Sequence, residues 1–356
     1  MTFISPPTIL THAGAFHADE IMAIALLEKF YLTSPLLVSK GLSNSQVKDL
    51  VQGRRPPPPV RHIQGNVEDC REPSWIIRTR SSDLLELARQ DPSIFVLDVG
   101  GQLDEGRLNF DHHQASMTRA WDNGTPLSST GLIWKWLLSQ GRLSEFSDPV
   151  LRDMEKNLIE PLDAHDNGVR IHPHAVIIDE YNRAADNDPS VQLEQFEKAL
   201  DFCRDALVNS LFASVQRVAA IDILSSAWAR HKSQGKPYVL LDEPLPWSNG
   251  TQLLQEISGE QALMLGIPGQ SNRYSLISLP VGSDRFASIC PVPESWRGRM
   301  DFQVEVGGVE PAKIVFAHKT GFMCVIEGGA EQAAPVVEHV VQSNQPTSSL
   351  RRSGPG

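Results

Sequence analysis

Cysteine is scarce: the 356 residues hold four, Cys70, Cys203, Cys290 and Cys324, far apart and without a Cys-x-x-Cys pair. That spacing argues against a disulfide framework or a zinc knuckle and fits a reducing cytosol. Long apolar runs are lacking too. None approaches the roughly 20 residues of a bilayer span, so no membrane partner is expected. The opening Met1-Thr-Phe-Ile-Ser-Pro-Pro7 shows neither the basic and apolar regions of a secretory signal nor an Arg-rich transit segment. A cytoplasmic protein is expected, with nucleus and mitochondrion left open. Positive charge is in deficit, 32 Lys and Arg against 43 Asp and Glu for a formal net charge of −11. Such a balance speaks against a broad basic surface that tracks many phosphates. It leaves a nucleic-acid substrate open, because metal ions in a site add positive charge that a residue count misses. Also missing are a Gly-x-Ser-x-Gly elbow, a Walker-type Gly-Lys-Ser/Thr and a Gly-x-Gly-x-x-Gly following a strand, which removes the commonest signatures of serine hydrolases, P-loop enzymes and dinucleotide binders.

What is present suits a packed protein: 41% hydrophobic and 21% charged residues, on a chain long enough for two domains. Residues 8–12 read as a short strand. A helix over 18–31 carries Ile21, Ile24, Ala25, Leu27 and Phe30 at helical spacing, with Asp19 and Glu20 in its first turn. Residues 34–74, with four consecutive prolines at 56–59, read as an inserted surface excursion. Strands are expected at 75–79 and 94–99, and helices at 83–90, 128–139 and 149–161. From 191 to 232 the apolar spacing stays near 3.6, predicting one or two long amphipathic helices. Beyond Pro237 short β-like runs at 238–241, 262–265, 274–278, 285–289, 313–316 and 321–326 mark a second, smaller α+β domain. The expected organisation is therefore 1–190 as a metal-binding domain with 34–74 inserted, 191–235 as connecting helix, 236–342 as a substrate-binding domain, and 343–356 as a flexible tail.

The chemistry concentrates in four clusters. Thr11-His12-Ala-Gly-Ala-Phe-His17-Ala-Asp19-Glu20 follows the first strand. Asp98 ends the apolar run Ile94-Phe-Val-Leu97. Leu108-Asn-Phe-Asp111-His112-His113-Gln114 comes next, and Glu160-Pro-Leu-Asp163-Ala-His165-Asp166-Asn-Gly168 lies about fifty residues beyond. Carboxylates and imidazoles delivered at strand ends and helix starts are the usual site placement in an open α/β sheet. Asp98 is the natural bridging carboxylate between two ions, His12, His17 and Asp19 belong with it if the glycine loop bends back, and His112 is a further ligand. Asp163 or Asp166 would complete the second ion, and Asp111 can orient an imidazole. The mix of nitrogen and oxygen donors suits Mn²⁺ or a similar first-row ion over Ca²⁺. His172 and His174 flank Pro173 in an expected loop, while His62 and His231 have no acidic neighbour in sequence, so these four are left out.

Asp111-His-His113, the upstream Asp98 and the His-rich leading loop resemble the DHH phosphoesterase superfamily. Within it, residues 11–20, Val99-Gly-Gly101, Asp111-His-His-Gln114, Leu127-Ser-Ser-Thr-Gly131, Asp163-Ala-His-Asp-Asn-Gly168, Ser295-Trp-Arg-Gly298 and Phe316-Ala-His-Lys-Thr-Gly-Phe322 look like the melanocyte-proliferating-gene exonucleases. The likeness runs from about Thr8 to about Ala334 and is looser in the second half. It implies a doubly wound, mostly parallel α/β domain and two divalent cations, Mn²⁺ or alternatively Mg²⁺. The implied activity is 3′-to-5′ hydrolysis of single-stranded RNA. By position, His12, His17 and Asp98 would hold one ion and Asp19, Asp98, His112 and Asp163 the other, with His113 facing the scissile phosphate and Asp111 beside it as the second catalytic residue. Arg297 and His318 would grip the phosphate backbone. Ala18 stands where the family usually has Cys, and the chain is longer than usual between Gly321-Phe322 and Gly328-Gly329. Two other readings compete: a phosphoesterase acting on short oligonucleotides, dinucleotides or pyrophosphate, and a metal-stabilised RNA-binding protein without turnover. The oligomeric state stays open, with a homodimer among the options.

Overall fold

The computed structural model describes residues 7–34, 36–38, 44–52, 74–183, 188–245, 249–282, 284–307 and 310–345. His62, Cys70, the prolines at 56–59 and the tail from 346 onward lie outside them. The chain divides into two units, Met1–Ser214 and Val215–Gly356.

In the first unit, short apolar strands need cover on both faces, and they receive it. The elements are β1 (Thr8–Thr11), α1 (Ala18–Phe30), β2 (Leu36–Val38), α2 (Asn44–Val51), β3 (Ser74–Arg78), α3 (Ser82–Gln90), β4 (Ile94–Leu97), β5 (Leu103–Asp104), β6 (Asn109–Phe110), α4 (Ser129–Ser139), α5 (Asp148–Met154), α6 (Glu160–Asp166), α7 (Pro173–Arg183) and α8 (Pro189–Ser233). One six-stranded sheet runs in the order β2-β3-β1-β4-β6-β5. Every pairing is parallel except β5 with β6. Successive side chains point to opposite faces. Ile9, Ile76, Phe95 and Leu97 therefore pack with α1 and α4, while Leu10, Trp75, Ile77, Ile94 and Val96 pack with Leu50, Val51 and Ala88. This is the expected α/β architecture, both faces covered as parallel sheets require. The chain leaves β1 toward β2 and β3 on one side and reaches β4 on the other, which makes the ends of β1 and β4 the switch point where such sheets bind ligands.

Three local readings need correction. The stretch 34–74 is not wholly irregular, since β2 extends the sheet through Leu36↔Ser74 and α2 covers it; the three-residue strand offers too short a pattern to show a period. The helix expected over 149–161 continues to Asp166 but widens into a π turn at Glu155–Ile159. Pro161 has no N–H to give to the preceding turn, which accounts for the change of winding. Pro173 opens α7 and does not sit in a loop, in keeping with proline's fitness for a helix start. The side chains of α1 are buried from Ala18 to Leu27, acids included.

The second unit holds β7 (Tyr238–Leu240), α9 (Gly250–Ser258), β8 (Met264–Pro268), β9 (Arg273–Ser278), β10 (Pro280–Val281), β11 (Asp284–Ser288), β12 (Met300–Val304), β13 (Ala312–Ala317), β14 (Met323–Glu327) and α10 (Ala330–Ser343). Its main sheet has the order β12-β13-β14-β9-β8-β7 and is antiparallel apart from β7 with β8. Val336, Val337 and Val340 of α10 pack on one face, and Leu253 and Leu254 of α9 on the other. Among the described helices α8 alone has the length and apolar content to cross a bilayer. Its first half gives Phe196, Leu200, Cys203 and Leu207 to the core of the first unit, and its second half gives Ala220, Leu224 and Trp228 to a core of the second.

Candidate metal centre

His12 leaves the sheet at the end of β1, and the chain then turns sharply: Gly14 has φ +102°, a conformation that favours glycine. Phe16 fixes the far side of the turn. Its N–H donates to Asn182 Oδ1 at 3.0 Å, its carbonyl accepts from Asn182 Nδ2 at 2.6 Å, and its ring meets Phe196 edge-on. The bend returns His17 to within 5.6 Å of His12, ring to ring. His17 caps α1, and Glu20 Oε1 accepts from its N–H at 3.2 Å, the carboxylate half of a capping box.

Asp98 follows β4 with φ +56°, a left-handed backbone that costs an L-residue about 1–3 kcal/mol. The strain aims its carboxylate into the ring of histidines. Asp98 Oδ2 lies 3.3 Å from His12 Nε2 and 4.0 Å from His17 Nδ1, and Oδ1 lies 3.2 Å from His112 Nε2 and 3.5 Å from His113 Nδ1. His112 Nε2 is also 3.7 Å from Asp19 Oδ2 and 3.3 Å from Asp166 Oδ2. Four imidazoles and three aspartates thus converge at the switch point of one sheet. Three groups place donor atoms within 4.8 Å of one another: His12, His17 and Asp98; Asp98, His112 and His113; and His17, Asp19 and Asp166.

The electrostatics match a site built for cations. Burial opposes charge on Asp98, yet the hydrogen bond from His112 and the nearby His12 imidazole hold it below the usual carboxylate range. Burial, followed by the Asp19 charge, pushes Asp166 up to about 8. Burial and then the Asp98 charge also raise Asp19. Against its own burial, His112 is raised to about 9 by its Asp98 hydrogen bond and the surrounding acids. Desolvating a carboxylate costs several kcal/mol, comparable to what a pair of buried leucines contributes, so acids here are not held for stability. Asp19 Oδ1 and Asp98 Oδ2 are buried and receive no hydrogen bond, although His12 Nε2 stands 3.3 Å from the latter. Orphaned carboxylate oxygens beside imidazole nitrogens fit a divalent first-row ion, and the nitrogen share disfavours Ca²⁺.

Asp163 stands apart from these groups, whereas Asp166 is in one of them. Its Oδ1 accepts from Ser128 Oγ at 2.6 Å and from Gly131 N at 2.9 Å, while Oδ2 accepts from Trp121 Nε1 at 2.6 Å. These three donors spend its lone pairs on tying α6 to the start of α4. One turn on, Asp166 reaches the cluster. Asp111 joins no metal group either. Its Oδ1 accepts from His113 Nδ1 at 2.8 Å and its Oδ2 from Gly101 N at 2.5 Å, which holds the His113 ring in place. The rings of the two histidines of the motif lie 4.3 Å apart. His112 is nearly buried, whereas the His113 side chain is 60% exposed.

Arg297 and His318 belong to the second unit and border one turn there. Arg297 Nε donates to Val292 O at 3.0 Å, and a Cβ on Gly321 would come within 2.7 Å of it. His318 Nδ1 is 2.9 Å from Thr320 Oγ1, and Gly321 N donates to His318 O. Sequence reasoning missed Glu20 and Arg78 as parts of the site. Glu20 Oε1 sits 3.2 Å from His12 Nε2 and 4.0 Å from Arg78, whose guanidinium lies over Phe16 and Phe196. The signal was there in Trp75-Ile-Ile-Arg78-Thr-Arg80, a buried strand that ends in two cations two residues apart. His172 and His174, set aside as solvated, have buried Nδ1 atoms, because α7 starts between them. His231 bonds Ala227 O and Leu240 N and serves the second unit's interior.

A family model described as an uncharacterised protein family, UPF0160, and named for the MYG1 exonucleases matches residues 66–334. A MYG1 protein of Schizosaccharomyces pombe is 24% identical over 93% of the chain and 97% of its own length. A MYG1 protein of Dictyostelium discoideum is 25% identical over 90% of the chain and 92% of its own length. A MYG1 exonuclease of Mus musculus is 28% identical, covering 90% and 81% respectively.

Proposed function

Since the chain belongs to the MYG1 exonuclease family, we propose that it is a metal-dependent phosphodiester hydrolase that removes nucleotides stepwise from the 3′ end of single-stranded RNA. The observation that carries this reading is the Asp98 carboxylate, with four imidazoles and two further aspartates gathered about it. His12, His17 and Asp98 would hold one divalent ion, and Asp98, His112, Asp19 and Asp166 a second. Such a pair, when bound, supplies a water nucleophile at neutral pH and positive charge for the phosphoryl oxygens.

The remaining roles fall to the chain's own groups. Asp111 accepts the Nδ1 proton of His113, which leaves the exposed Nε2 to exchange a proton or a hydrogen bond with the substrate. Asp163 holds α6 so that Asp166 keeps its place. Arg297 and His318 are assigned to backbone phosphates. The test is a panel of end-labelled RNA, DNA, dinucleotide and pyrophosphate, incubated with Mn²⁺ or EDTA and resolved by product length. Metal-dependent release of mononucleotides from RNA supports the reading. Full activity in EDTA contradicts it, and cleavage of the dinucleotide or pyrophosphate alone replaces it with a small-substrate phosphoesterase.

A further inference from the structure

We infer that Arg80 is a phosphate-binding residue at the mouth of the metal centre, contacting the nucleic-acid backbone from within the first unit; the inference rests on the nuclease reading above. Arg78 and Arg80, two residues apart at the end of β3, both reach the loop that follows β1, as the two-residue period directs. Their surroundings then separate them. Arg78 is buried, with a side chain 2% exposed, gives Nη2 to Gly14 O at 2.8 Å and lies against Glu20 and two phenylalanine rings. It is a support for the loop. Arg80 is exposed. Its Nε donates to Ala13 O at 2.5 Å, and its Nη2 lies 3.3 Å from His12 Nδ1. Gly14 lies directly beneath the guanidinium, where a Cβ would be in ordinary contact with it at 3.6 Å. A guanidinium has five donors in a planar fork, and the contacts of Arg80 among the described residues are made by Nε and Nη2 on an exposed side chain beside the cluster.

A substrate phosphate at the cluster offers an acceptor to the Arg80 donors not spent on Ala13 O and His12, and a charge-assisted bond of this kind is among the stronger ones. In a chain of net charge −11, a cation placed at the catalytic mouth also explains how an acidic protein admits a polyanion without a broad basic face.

The experiment measures the anisotropy of a fluorescein-labelled, phosphorothioate-linked RNA octamer on the full chain in Mn²⁺, across a salt series, with Mn²⁺ stoichiometry counted by calorimetry. Arg80→Gln should bind Mn²⁺ as wild type does, weaken octamer binding about tenfold or more, and lower the slope of log Kd against log salt by about one. Arg80→Lys should restore the slope and part of the affinity. Unchanged affinity and slope in Arg80→Gln overturn the inference, as does a loss of bound Mn²⁺, which would make Arg80 a support of the loop like Arg78. A wild-type chain that binds no octamer removes the nuclease reading and this inference together.

Discussion

At the scale of single residues, the division of labour among neighbours is the main result. His112 and His113 are adjacent in sequence and close in space, yet one is enclosed by acids and the other is open and tethered to Asp111. His113→Gln should therefore keep the fold and the bound metal and lower turnover about a hundredfold or more, the scale seen when a group stabilising transition-state charge is removed. Wild-type turnover, or a lost ion, would show that His113 has another role. Asp163 and Asp166 part in the same way. Asp163→Ala strands two buried donors and one half-buried one, a buried donor costing about 1–3 kcal/mol when left unpaired, so urea denaturation should show a loss of about 3 kcal/mol with little change in metal affinity. Asp166→Ala should do the reverse, holding its urea midpoint while Mn²⁺ binding weakens. Equal effects of the two on metal binding would undo the distinction.

Secondary-structure elements show where the sequence speaks and where it falls silent. The strands β1, β3 and β4 and the helices α1, α3 and α4 were legible because buried parallel strands are continuous apolar runs and the helices carry periodic apolar faces. His12, His17, Asp19, Asp98 and His112 were legible for the same reason, being the polar residues at the ends of those elements. The different surroundings of Asp163 and Asp166 were not. Both are acids on one short helix, and what separates them is Ser128, Trp121 and the Gly131 amide, more than thirty residues away in sequence. The short strands β2, β5 and β6 hold two or three residues each, below the length at which a period can show. The helices α9 and α10 lie among β-like runs, and α10 carries an internal Pro335 that reads as a stop. Packing between α4 and α6 also yields a prediction. A Cβ on Gly131 would lie 2.0 Å from Asp163 Oδ2 and 2.8 Å from Leu127 Cδ2. Three hydrogen bonds hold Asp163 in place, so Gly131→Ala should cost about 3 kcal/mol in urea denaturation; a wild-type midpoint would mean that α4 can slide.

Across the whole molecule, the clustered metal donors lie within residues 1–214, and Arg297 and His318, proposed above to hold backbone phosphates, lie within 215–356. Among the described residues no cysteine joins the metal groups. Burial pushes the Cys203 thiol above its ordinary range, Cys290 up to about 11 and Cys324 up to about 12. A raised thiol pKa leaves almost no thiolate at pH 8, and the thiolate is the reactive form. Titration of the native chain with a disulfide reagent should therefore find at most one fast thiol, Cys70, and all four after denaturation; two or more fast thiols in the native chain would contradict this burial.

The claim on which the rest depends is that the residues around Asp98 hold a pair of divalent ions. Anomalous diffraction at the manganese edge from crystals of the full chain soaked in Mn²⁺ tests it most directly. The account predicts two peaks about 3.5–4 Å apart, with Asp98 between them, His12 and His17 on one and His112, Asp19 and Asp166 on the other. No peak at Asp98, or manganese bound only elsewhere, would contradict it.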